Sequence, residues 1–89
     1  MLKLLKVSQE HIVYGDVNNM YSCAVAQAMH DAKIPFLSIE RHCIAYEDHA
    51  VSSNGGILRI PHTQVMRNFI DDVDNELEVK PHTFRIKVA

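Results

Sequence analysis

Two cysteines, six histidines and a run of carboxylates are the side chains of this 89-residue chain whose types could do chemistry. Cys23 stands out among them because it falls near the expected start of a helix. There, unpaired amide N–H groups and positive potential favour a thiolate. A thiol enzyme at Cys23 also needs a histidine to take the proton and a third group to orient that histidine. His42, His49, His62 and His82 are the available bases, and no local signature separates them. The competing reading is a small buried thiol packing a helix against a sheet. A helix starting at Asn18 or Asn19 favours it, since Cys23 then lies a full turn inside. No catalytic residue is therefore expected, with Cys23 as the residual candidate.

The other constellations fail on spacing. Structural zinc takes paired ligands at short fixed intervals, whereas His42 and Cys43 are adjacent and would point to opposite faces of a strand. No metal or other cofactor is expected. Asp72, Asp74 and Glu76 alternate as in a calcium loop. The sixth and twelfth positions of such a loop would be Leu77 and Thr83, where glycine and glutamate are required. Ser52-Ser53-Asn54-Gly55-Gly56 lacks the lysine of a phosphate loop, and Asp48-His49 beside Ser52 and Ser53 is adjacency, not triad geometry. Two binding candidates remain. Asp16, Asn18, Asn19 and Tyr21 surround a helix start that could receive an anion, such as a nucleotide phosphate. Asp71, Asp72, Asp74, Glu76 and Glu78 form an acidic patch suited to a basic partner.

Periodicity supplies the elements that must hold these residues. Leu2 to Val7 reads as a strand with Lys3 and Lys6 exposed. Ser8 caps a helical turn that Gly15 stops. Tyr21, Ala24, Val25, Ala28, Met29 and Ala32 form one apolar stripe, predicting a helix over about 18–32. Phe36–Ile39 reads as a strand, with Cys43–Tyr46 as its continuation or hairpin partner. A loop follows over 48–56, then a strand at Ile57–Ile60 ended by Pro61. Val65, Met66, Phe69, Ile70 and Val73 predict a helix over about 62–74 capped by Thr63. Phe84, Ile86 and Val88 alternate as a final strand. The expectation is a single α+β domain over 1–89, ordered β-α-β-β-(β)-α-β. Two helices pack on one antiparallel or mixed sheet, and a ferredoxin-like split arrangement is the nearest named form.

Composition narrows the class further. Apolar residues make up 47% and charged residues 22%, a globular balance. The net charge is −2 and the isoelectric point near 6.3, which argues against nucleic-acid binding through a basic surface. No apolar run reaches membrane-span length, and two widely spaced cysteines read as reduced thiols. A cytoplasmic protein is expected, and the small core points to a homo-oligomer.

Gly15-Asp16, then Cys23-Ala24-Val25-Ala26-x-Ala28, and later Leu58-Arg59-Ile60-Pro61, Phe69-Ile70-Asp71-Asp72 and Pro81-His82-Thr83-Phe84 resemble a group of small phage and prophage proteins. Many of those carry Pro after the Cys, where this chain has Ala24. The resemblance implies a shared fold and a mobile-element context, and it carries over no catalytic residue. In that context a non-enzymatic accessory protein that binds a bacterial host protein is expected. A defence or nucleic-acid enzyme is the kind of target implied, with the 71–78 patch and the 48–56 loop as contacts. Sequestration of a nucleotide or nucleotide signal, anchored by the helix start at 16–21 with Arg59 or Arg41, and a thiol enzyme, are the alternatives.

Overall fold

The computed structural model describes residues 2–48 and 56–88. The chain runs β1 (Leu2–Val7), α1 (Gln9–Tyr14), α2 (Ala24–Asp31), β2 (Ser38–Ile39), β3 (Cys43–Asp48), β4 (Gly56–Pro61), α3 (Gln64–Asp74) and β5 (His82–Lys87). The α+β class stands, with three helices and antiparallel strands. The expected 48–56 loop lies largely outside the described residues, as do His49, Ser52 and Ser53.

The strands fall into two sheets where one was expected. β1 pairs antiparallel with β5 from Leu2↔Lys87 to Val7↔His82. β3 pairs antiparallel with both β2 and β4, so Cys43 begins a hairpin partner of β2 and not its continuation. Side chains join the two sheets, with no ladder between them among the described residues. Ile44 and Ile86 face a shared groove, and the Tyr46 hydroxyl donates to the Lys87 carbonyl at 2.8 Å. Pro61 at the end of β4 has no N–H to offer a further strand. A ferredoxin-like arrangement, which needs one continuous sheet, is not formed by the described residues.

The helix predicted over 18–32 is shorter, and its start moves to Ala24. The polar stretch before it satisfies its own backbone and so competes with the helix. Asn18 takes a left-handed φ of 57°, and the Asn19 side chain accepts the Tyr21 amide at 2.9 Å. The Cys23 amide then donates to the Asn19 carbonyl at 2.9 Å. Tyr21 falls outside the helix and is exposed. Ala24, Val25, Ala28 and Met29 are buried as the stripe required, and Ala32 becomes an exposed C-cap. The strand predicted over 36–39 narrows to Ser38–Ile39, and Phe36 instead lies against the His30 ring.

The remaining local signals hold. Ser8 caps α1 in a capping box with His11, and Thr63 caps α3. Gly15 ends α1 for a steric reason: a Cβ there would lie 2.5 Å from the Ala24 nitrogen and 2.7 Å from the His11 carbonyl oxygen. Glycine is thus what lets the end of α1 touch the start of α2. The core joins Leu5 and Val7 of β1, Val25 and Met29 of α2, Met66 and Phe69 of α3, and Phe84 and Ile86 of β5. Phe69 and Phe84 meet edge to face at 5.1 Å.

Candidate functional site

The late start of α2 places Cys23 at its N-cap and opens a cleft of about 320 Å³ above it. Cys23, Ala24, Val25, Ile39, Phe69 and Ile70 make an apolar floor. Asn18, Asn19, Glu40, Arg41 and Asp74 make a polar rim. Four segments converge here: the 17–22 turn, the start of α2, the β2–β3 turn and the end of α3. The Ile39 amide donates to the Met20 carbonyl at 2.7 Å and locks the turn to β2.

The two binding sets expected from sequence are partly merged by this geometry. Asn18 and Asn19 line the cleft, whereas Asp16 and Tyr21 do not. Asp16 instead accepts from the Ser22 hydroxyl at 2.7 Å, and Tyr21 points to solvent. The acidic run is divided. Asp74 reaches the cleft and accepts the Asn18 amide at 3.1 Å. Asp71 pairs with Arg41 at 3.2 Å. Asp72 and Glu78 border a shallow surface beside Lys80 and His82, and Glu76 and Glu78 are exposed. Arg41, an expected basic anchor beside the 16–21 helix start, does line the cleft, whereas Glu40 was not foreseen because only the β2–β3 turn brings it over α2.

The rim is acidic in balance. Glu40 is held by Arg59 at 3.3 Å and by the Ser38 hydroxyl at 3.0 Å. Arg41 is engaged by Asp71. Asp74 has no cationic partner among the described residues. These exposed pairs contribute about 0–1 kcal/mol each, so they orient the rim more than they stabilise the fold.

Cys23 occupies the N-cap without making a cap hydrogen bond. Burial lifts its thiol above the ordinary value of 9.0, the amides of Ala26 and Val25 oppose the rise, and the Asp74 carboxylate adds to it. Among the described residues no histidine lines the cleft. Cys43 is likewise a free thiol pushed up by burial, with Glu40 adding to the rise. The two arguments that sequence offered about Cys23 are thus exchanged: it does sit at the helix start, and desolvation outweighs the helix amides.

A Ser-His-Asp set does assemble elsewhere, at Ser8, His11 and Asp31, where sequence did not point. The Ser8 hydroxyl lies 3.1 Å from His11 Nδ1, and His11 Nε2 meets Asp31. The Ser8 amide donates to that same Nδ1 at 2.9 Å. The ring proton therefore sits on Nε2 and is donated to Asp31. The cluster is a cap that clips α1 to the end of α2, and it borders none of the clefts described. Among the described residues no group of three or more His, Cys, Asp or Glu side chains could hold a metal ion. No helix among the described residues is long and apolar enough to cross a membrane.

Compared with protein-family models, with curated proteins and with solved structures, the chain matches none.

Proposed function

We propose that this chain is a non-enzymatic, phage-type accessory protein that binds a bacterial host protein, with the α2 cleft as the receptor. The observation that carries the reading is the cleft's composition: an apolar floor under a rim whose free charge is the Asp74 carboxylate. Apolar pockets with a few convergent polar groups are where proteins take ligands and anchor side chains. The occupant suited to this one has an apolar body and a neutral or cationic head. A lysine or arginine of a partner, its stem over Phe69 and Ile70 and its head at Asp74, meets both demands.

The alternatives fare less well against the same geometry. A nucleotide phosphate would approach Glu40 and Asp74 as well as Arg41, and Arg41 is already engaged by Asp71. A thiol enzyme would need a base at Cys23, and among the described residues the raised thiol faces the Asp74 carboxylate and no imidazole. The immobilised protein is expected to recover a specific protein from bacterial lysate. Recovery of none would refute the reading. Thermal unfolding with a panel of nucleotides is expected to show no shift, and stabilisation by one of them would favour sequestration.

A further inference from the structure

α2 and α3 end in the same backbone motif, and only one of them closes it. After α2, the Ile34 amide donates to the Met29 carbonyl and the Lys33 amide to the His30 carbonyl, both at 3.0 Å. Lys33 holds a left-handed φ of 57°. Ile34 then folds into the core, 6% exposed, joining the cluster that holds Met29, as the apolar residue after this motif usually does. After α3, the Leu77 amide donates to the Asp72 carbonyl at 2.8 Å and the Glu76 amide to the Val73 carbonyl at 3.0 Å. The residue on which Leu77 would pack is Asp72, and Leu77 stays 58% exposed. Glu76 takes a left-handed φ of 58°, a conformation that glycine adopts freely and glutamate does not. A backbone-fixed leucine therefore projects into solvent between two exposed glutamates.

The opposite end of α3 carries the complement. A groove of about 330 Å³ lies between the two sheets, walled by Ile44, Ile60, Met66 and Ile86 and edged by Arg85 and Lys87. No carboxylate lines it, and neither cation has an ion-pair partner among the described residues. Thr63 at its border caps α3, so the positive end of that helix dipole lies at this side. The last turn of α3 holds Asp71, Asp72 and Asp74 with no basic residue, against the negative end of its own dipole. An acidic apolar knob and a cationic apolar groove thus sit roughly 16 Å apart along one helix axis.

We propose that the occupant of this groove is a second copy of the chain. Leu77 of one copy enters the groove at the start of α3 in the next, with Glu76 and Glu78 against Arg85 and Lys87. The contact joins two different surfaces, so it runs head to tail and leaves a free knob and a free groove at the ends of an open assembly. It is small, which makes it a weak association. It uses residues away from the α2 cleft and stands or falls independently of that reading.

Sedimentation velocity over a concentration series at low ionic strength tests it. Association is expected to grow past the dimer and to recede in high salt. Arg85→Glu with Lys87→Glu, and separately Leu77→Asp, are expected to be monomeric while keeping the wild-type circular dichroism spectrum. Mixed together, these two variants are expected to form a heterodimer that grows no further, because one keeps the knob and the other the groove. The milder pair Glu76→Gln with Glu78→Gln is expected to weaken association at least tenfold. A wild-type protein that stays monomeric throughout, variants that associate as the wild type does, or a mixture that stays monomeric would each overturn the proposal.

Discussion

Cys23 shows how far a residue's chemistry depends on what covers it. At the N-cap of α2 its sulfur meets the helix amides that elsewhere create thiolates, yet it is only 9% exposed, and desolvation prevails. Iodoacetamide at neutral pH is therefore expected to alkylate the folded protein slowly, at Cys43 before Cys23. Peptide mapping that found Cys23 modified first, and quickly, would restore the nucleophile. The chance of a thiol at a helix start was legible in the sequence. Its burial was not, because Phe69 and Ile70 come from a segment more than forty residues away.

His62 gives a second test at this scale. Burial pushes its imidazole below the ordinary 6.5, against the pull of the Glu40 carbonyl, with His42 and Arg67 pushing the same way as burial. The folded state thus resists protonation that the unfolded chain accepts. Stability is unaffected well above 6.5, falls as pH drops below it, and levels off below the lowered folded value. Urea unfolding between pH 7.5 and 5.5 is expected to show a stability loss that His62→Gln reduces. An unchanged slope in the variant would contradict this.

Among the elements, the junction of α1 and α2 depends on Gly15. A methyl group there collides with backbone, which cannot move aside as a flexible side chain could. Gly15→Ala is expected to cost about 1–3 kcal/mol, read as a lowered midpoint in urea. A neutral result would mean the helices tolerate separation. Glu76→Gly has the opposite sign, since it relieves a left-handed φ at the position where helices favour glycine. A gain of about 0.5–1 kcal/mol is expected, and a loss would show that Glu76 is held by something other than strain. The sequence made α3 and β5 legible because their apolar spacing is regular and burial follows it at Met66, Phe69, Ile70, Phe84 and Ile86, with Val65 the exception, exposed on α3. It misplaced the start of α2, because Asn18, Asn19 and Tyr21 fit a helix by spacing, while the Asn19 side chain takes the Tyr21 amide and Asn18 bonds across to Asp74 at the end of α3.

At the scale of the molecule, the described residues form two small antiparallel sheets held by side chains, with helices joining them. That division was not legible, since strand patterns specify which face is buried and say little about which strand lies alongside. The same assembly creates the α2 cleft, whose floor is shared by α2, β2 and α3. Asn18, Asn19, Arg41 and Asp74 of its rim could be nominated in advance, whereas Glu40 reaches it through tertiary packing alone.

The central claim, that this cleft receives a host protein, comes down to the charge on Asp74. Asp74→Asn keeps an acceptor for the Asn18 amide and removes the carboxylate, while Lys33→Ala changes an exposed residue that does not line the cleft. Lysate recovery should be quantified for the wild type and both variants, each confirmed as folded. The account predicts a specific host protein retained by the wild type and by Lys33→Ala, and at least tenfold less with Asp74→Asn. Equal recovery by all three, or no specific protein with the wild type, would contradict it.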